Sequence, residues 1–205
     1  MKRPEKKAPL KAVLFDFGGV LAEEGFRGGL KAVALKDNRD PERFFEQARE
    51  LIYEIGYVTG QTDEASYWSA LREETGITWS DGELREEILK RFVLRRRMLR
   101  HVERLRYHGI VVALLSDQTN WLDELNRRDP FYHYFDHLFN SFTLHKSKRD
   151  PSIFMDAAAR IGFRPGEMLF VDDDKGNTGR ATERGYRVIH FQGIDDFEAK
   201  ISAFV

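Results

Sequence analysis

The sequence predicts an α/β protein, a doubly wound parallel sheet that carries a small all-helical cap. Short apolar runs recur along the chain, and three end in a polar residue that opens a loop: LKAVLFD at Asp16, IVVALLS at Ser116 and MLFVD at Asp172. Short runs without polar alternation are the pattern of strands buried on both faces. Segments with helical spacing separate them, as the crossovers of a parallel sheet require. The first two runs stand roughly ninety residues apart, far more than one crossover needs, and the stretch between them is patterned as helices.

Taken in order, residues 1–9 (MKRPEKKAP) are charged and proline-broken and predict a loose tail. The first strand, Leu10 to Asp16, gives way to a Gly-Gly turn. The segment GFRGGL, Gly25 to Leu30, predicts a flexible hinge into the cap rather than a phosphate-cradling loop, with Arg27 on it a candidate substrate contact. The cap is assigned to residues 23–94, where RFFEQARELIYEIGY, DEASYWSALREETGI and GELREEILKRFVL are helical, and Thr62 or Asp63 caps the second. Tyr67 and Trp68 are expected in the cap's core. Residues 10–22 and 95–205 form the sheet core. Met98, Val102 and Leu105 mark a helix ending before Gly109, and a second strand runs from Ile110 to Ser116. LFNSF, Leu138 to Phe142, predicts a weaker strand. Pro151 to Ile161 predicts a helix with proline at its start and Gly162 beyond its end. A strand from Met168 to Asp172, a short helix from Thr178 to Arg184 and a strand from Arg187 to Phe191 complete the chain.

The composition narrows the function. A chain of 205 residues allows one domain with a modest insertion. No cysteine is present, which excludes disulfides, thiolate metal sites and a cysteine nucleophile. Lys plus Arg is 33 against 34 for Asp plus Glu, so no net charge draws the chain to nucleic acid or an anionic membrane. The longest apolar stretch, Ile110 to Leu115, falls far short of the ~20 residues that span a bilayer. Asp16 interrupts the apolar run near the N-terminus and no small-residue cleavage site follows, so the expected location is cytoplasmic. The expected state is a monomer or homodimer. His133 and His137 have the spacing of a metal pair but no third ligand, which favours packing or surface roles. Arg95 to Arg97 and Arg100 predict a solvated helix face rather than a nucleic-acid patch.

In parallel sheets, reactive groups gather at the carboxyl ends of the strands, where strand order switches. Asp16, Ser116, Lys148 and the run Asp172, Asp173, Asp174 all fall at strand ends or in the loops after them. A carboxylate can attack phosphorus and carry it as an aspartyl phosphate. Carboxylates such as Asp16 and Asp173 suit magnesium, a hard cation that takes oxygen ligands. A hydroxyl and an ammonium can hold the phosphate oxygens.

With these segments in this order, the chain resembles the haloacid dehalogenase-like hydrolases over nearly its whole length. FDFGGVL (Phe15 to Leu21) resembles the first motif, with Asp16 as nucleophile, and LLSDQTN (Leu114 to Asn120) the second, with Ser116 as phosphate-binding hydroxyl. SFTLHKSKRDPSIF (Ser141 to Phe154) resembles the third, with Lys148 as its lysine, and FVDDDKGN (Phe170 to Asn177) the fourth. The resemblance implies a Rossmann-like core, the subgroup whose helical cap follows the first motif, and Mg2+ held by Asp16, the Gly18 carbonyl and Asp173 with help from Asp172. It also implies that Ser116, Asp117 and Lys148 meet the substrate.

The departures bear on mechanism. Phosphatases of this family usually carry a second aspartate two residues after the nucleophile, as general acid and base; here that residue is Gly18. Glu23, Glu24 and Asp117 are the candidate replacements. Asp117 stands where asparagine is common, Arg149 where proline often follows the lysine, and Asp174 where serine is common, so that Asp174 is expected to be solvated rather than ligating. His145 stands where glycine is usual, so the turn there must differ or hold a non-glycine residue at positive φ. The expected function is a magnesium-dependent phosphatase acting on a small phosphorylated metabolite. The alternatives are a 2-haloacid dehalogenase, whose halide leaves without a proton, and a catalytically silent ligand-binding module.

Overall fold

The computed structural model describes residues 9–204, so most of the N-terminal tail lies outside the described residues. Strand β1 (Ala12–Phe15) is wholly buried, and its chain then turns into helices α1 (Gly25–Lys36), α2 (Pro41–Glu54), α3 (Glu64–Thr75) and α4 (Asp81–Leu89). Helix α5 (Arg96–Tyr107) returns the chain to strand β2 (Val111–Ser116), which leads through α6 (Trp121–Arg128) to β3 (His137–Asn140) and the single turn α7 (Ser141–Leu144). Helix α8 (Ser152–Ile161), strand β4 (Met168–Asp172), helix α9 (Lys175–Glu183), strand β5 (Arg187–His190) and helix α10 (Ile194–Ile201) follow.

The strands form one parallel sheet in the order β3-β2-β1-β4-β5. β1 pairs with β2 on one side and β4 on the other, with Phe15 opposite both Leu114 and Val171. That register aligns the carboxyl ends of the three central strands, and the chain's direction across the sheet reverses there. Strand side chains alternate between two apolar clusters, because successive residues point to opposite faces. Val13, Phe15, Val112, Leu114 and Val171 join α5, α6, α10 and the inserted helices. Leu14, Ala113, Leu115 and Phe170 join α8 and α9.

The inserted helices are capped as their sequences dictate. Asp63, not Thr62, caps α3 by accepting from the Ser66 N–H at 2.9 Å. Ser80 and Glu83 form a capping box on α4. One expectation fails: GFRGGL is not a hinge but the first turns of α1. Its glycines serve close packing instead of flexibility. A Cβ on Gly29 would lie 2.6 Å from the Ile88 Cα, and one on Gly25 would lie 2.5 Å from the Phe92 ring. The LFNSF segment also divides: Asn140 ends β3 and its side chain accepts from the Phe142 N–H at 3.2 Å, which starts α7. Phe92, counted with the α4 stripe, lies past the end of that helix.

The cap and the sheet share one apolar cluster. Trp121, from α6, stacks on Trp68 at 5.7 Å and meets Tyr57 edge-on at 5.8 Å. Tyr67 and Trp68 are core residues with no exposed surface. Tyr57 donates its hydroxyl to Asn120 Oδ1 at 2.7 Å, and Ser141 Oγ donates to the Val58 carbonyl at 2.7 Å. In the basic cluster, half-buried Arg95 pairs with Glu23, exposed Arg96 with Asp129 and exposed Arg97 with Asp195 and Glu198, and Arg100 is exposed. His133 is exposed, and His137 stacks on Phe139 with rings 5.9 Å apart. Among the described residues, no helix is long and apolar enough to cross a membrane.

Candidate active site

Four side chains converge where β1 and β4 end. Asp16 follows β1, and its N–H donates to the Val171 carbonyl at 2.9 Å, which carries the ladder one residue past the strand. Lys148, on the loop before α8, places Nζ 2.9 Å from Asp16 Oδ1 and 2.7 Å from Asp172 Oδ2. Asp172, the last residue of β4, has no exposed surface, and Lys148 is 1% exposed. Asp173 faces the same space, and Asp16, Asp172 and Asp173 each offer an oxygen within 4.8 Å of the others.

Hydrogen bonds distinguish the three carboxylates. Asp172 receives the Asp174 N–H at 2.7 Å and the Asn177 side-chain amide at 3.2 and 3.1 Å, besides Lys148. Its oxygens are occupied by donors, and it anchors the lysine from below. Asp16 Oδ1 receives the Phe17 N–H at 2.7 Å. Asp173 stands at a tight approach: Gly19 has φ 79°, and a Cβ there would overlap the Asp173 carboxylate. Asp174 is exposed and caps α9 by accepting from the Asn177 N–H at 2.8 Å.

The lysine loop is itself held in place. Asp117 Oδ1 accepts the Lys148 N–H at 2.8 Å, while Asp117 Oδ2 accepts the Tyr53 hydroxyl at 3.0 Å. Arg180 Nε donates to the Lys148 carbonyl at 2.7 Å. Asp117 therefore ties β2, the lysine loop and α2 together beside the pocket. Ser116, 1% exposed, ends β2 on the pocket wall. His145 holds φ 53°, the second of the two outcomes open for its turn, and its Nδ1 lies 2.9 Å from the Thr59 carbonyl.

The electrostatics follow from burial. Burial drives the Asp16 carboxyl well above the usual carboxylate range, and Asp172 and Asp173 add to the rise against the pull of Lys148. Burial and the neighbouring Asp172 raise Asp173 as well. Burial alone would push Lys148 down; the carboxylates of Asp16, Asp172 and Asp117 outweigh it and hold the ammonium well above its ordinary value. Three carboxyl groups thus crowd beside one ammonium, that of Lys148. That donor set, all oxygen and charge-deficient, fits a hard divalent cation. Gly19→Ala is expected to displace Asp173 and weaken magnesium binding at least tenfold in a calorimetric titration, about 1.4 kcal/mol; unchanged affinity would remove Asp173 from the site.

A cavity of about 200 Å³ opens above these groups, roofed by the cap. Sequence reasoning found Asp16, Ser116, Asp117, Lys148, Asp172 and Asp173, and the structure gathers all of them here. Gly18 lines the same cavity, and Arg27 does too, its guanidinium 5.1 Å from the Phe45 ring centroid. Sequence reasoning missed Arg49 and Tyr53 in the lining, which lie within an ordinary helix pattern, and Trp121, whose segment carries no predicted element. Glu24, one of three open candidates, also lines it; burial raises its carboxyl, and Asp173 adds to the rise.

Solved structures share the fold. A HAD family enzyme of Bacteroides thetaiotaomicron superposes with a TM-score of 0.75 at 23% identity, over 97% of this chain and 100% of that one. The L-2-haloacid dehalogenase of Xanthobacter autotrophicus, with chloropropionic acid covalently bound, gives 0.64 at 18% identity, over 95% of this chain and 83% of that one. In sequence the chain is 24% identical to bifunctional epoxide hydrolase 2 of Rattus norvegicus over 86% of its own length. It spans 35% of that curated relative, about a third. Residues 10–176 match the family of haloacid dehalogenase-like hydrolases, and with its parallel sheet and strand-end carboxylates the chain belongs to that family.

Proposed function

We propose that the protein is a magnesium-dependent phosphatase acting on a small phosphorylated metabolite through an aspartyl phosphate on Asp16. The observation that carries it is the cluster of buried Asp16 and Asp172 and half-buried Asp173, with the Lys148 ammonium paired to the first two, beneath a cavity of about 200 Å³ that Asp16 and Asp173 line. The Bacteroides enzyme in complex with magnesium and inorganic phosphate, 24% identical to this chain with a TM-score of 0.69, supports the same choice.

Asp16 attacks phosphorus, and its oxygen replaces the leaving alkoxide. Lys148, held by Asp172, faces the developing negative charge. Ser116 and the adjoining loop position the phosphate oxygens. Asp16, the Gly18 carbonyl and Asp173 would hold magnesium, with Asp172 behind them; bound there, it would neutralise phosphate charge. The cap excludes bulk water and limits substrate size.

Carboxyl groups that outnumber the ammonium beside them favour a site that works with a divalent cation, and so phosphate ester hydrolysis over dehalogenation. A panel of phosphorylated metabolites, assayed with magnesium and with a chelator, tests the choice. Phosphate release that requires magnesium is expected. Halide release from a 2-haloacid in the chelator would overturn it.

A further inference from the structure

Gly18 leaves no side chain where general acid–base help is needed, and three acidic residues lie close enough in sequence or space to replace it. Two of them are committed elsewhere. Glu23 is exposed and pairs with Arg95 through both oxygens, at 2.9 Å each. Asp117 spends one oxygen on the Lys148 N–H and the other on the Tyr53 hydroxyl.

Glu24 differs from both. It lines the cavity together with Asp16 and Gly18. Its Oε2 accepts the Arg27 N–H at 2.7 Å, which caps α1 and fixes the side chain. Its Oε1 lies 3.4 Å from the point that a Cβ on Gly18 would occupy. A carboxylate from the start of α1 thus fills the side-chain space left by the glycine. The ring of Phe92, 3.5 Å from the same point, closes the other side.

We propose that Glu24 is the catalytic acid and base of this site, reaching from α1 into the space beside Gly18; the inference rests on the phosphatase reading. In the first step Asp16 Oδ bonds to phosphorus, the bond from phosphorus to the leaving oxygen breaks, and the Glu24 proton moves to that oxygen. In the second step the Glu24 carboxylate takes a proton from water, the water oxygen bonds to phosphorus, and the bond from Asp16 to phosphorus breaks. Phosphate leaves, and both carboxyl groups return to their starting states.

Glu24→Gln tests this, because the amide oxygen can still accept the Arg27 N–H and cap α1 while carrying no transferable proton. The probes are p-nitrophenyl phosphate, whose leaving group needs no proton, and an alkyl phosphate, whose leaving group does. With magnesium and p-nitrophenyl phosphate, the variant is expected to release one rapid equivalent of nitrophenolate and then turn over about 10²–10⁴-fold more slowly than the parent. The phosphorylated chain should then accumulate and be detected by intact mass after an acid quench. With the alkyl phosphate the first step itself should slow by a similar factor and no phosphorylated chain should build up. A variant that loses both substrates equally without accumulating the phosphorylated chain, or that keeps parental turnover, overturns the assignment of Glu24 alone. A parent chain that turns over neither probe overturns the phosphatase reading and this inference with it.

A second pair of variants guards against misfolding. Gly18 lies outside the positive-φ glycines and its Cβ position is in ordinary contact range, so an aspartate fits there once Glu24 is shortened. Gly18→Asp combined with Glu24→Ala should recover at least tenfold of the turnover lost in Glu24→Ala alone. No recovery would count against the shared position.

Discussion

Replacing Asp16 by asparagine is expected to reduce magnesium-dependent phosphate release to background, a loss on the order of 10⁴–10⁶-fold, as when a covalent nucleophile is removed. The physical reason is local. The amide keeps the shape of the carboxylate and its bond from the Phe17 N–H, but it cannot carry phosphorus. It also takes one charge away from a cluster with a surplus of acid, so the fold should not suffer. Thermal unfolding without metal should match or exceed that of the parent, because Asp16 loses its charge where burial and Asp172 oppose it. The checks are phosphate release, intact-mass detection of the phosphorylated chain and thermal unfolding. Retained turnover, or a phosphorylated chain in the variant, would sink the nucleophile assignment.

Lys148→Met is expected to act on both activity and stability. Among the described residues, Lys148 is the one ammonium that faces Asp16 and Asp172 directly, and it is as buried as they are. Removing one partner from a buried ion pair typically costs about 3–5 kcal/mol, because the remaining charge stays in place without compensation. Methionine keeps the length of the chain, so the loss reports charge more than packing. In metal-free urea unfolding the variant should be destabilised by about that amount, less whatever protonation of Asp16 recovers. Saturating magnesium should restore part of the loss, since cation binding to the folded state alone stabilises it. Phosphate release should fall by about 10²-fold or more, the scale of one lost charge-stabilising contact. A variant with parental stability in the chelator would show that the ion triad does not hold the strand ends together.

Much of this site was legible in the chain itself. Asp16, Ser116 and Asp172 each close a short apolar run, and a polar residue at the end of a buried strand is a local signal. Lys148 is a weaker signal, since it lies in a loop rather than at a strand end and Lys146 and Arg149 crowd it. The register of β1 between β2 and β4 brings those residues together. The glycines of GFRGGL misled for a definable reason. Glycine serves a flexible turn and a close helix contact equally well, and only Ile88 and Phe92, far along the chain, decide between them. Tyr53 lies within an ordinary helical stripe, where nothing local separates a pocket wall from a core residue, and Trp121 opens a helix that the sequence pattern does not announce.

The sequence alone determined the layered α/β architecture, the helical insertion and the identities of the strand-end groups, because hydrophobic period and strand-end polarity are properties of short segments. The tertiary structure decided which acid stands beside Gly18, why Asp117 belongs to the lysine loop as well as the pocket, and that the cap is sealed to the core through Trp121. Those outcomes depend on contacts between segments distant in the chain, such as Tyr53 with Asp117 and Trp68 with Trp121, and no local pattern encodes them.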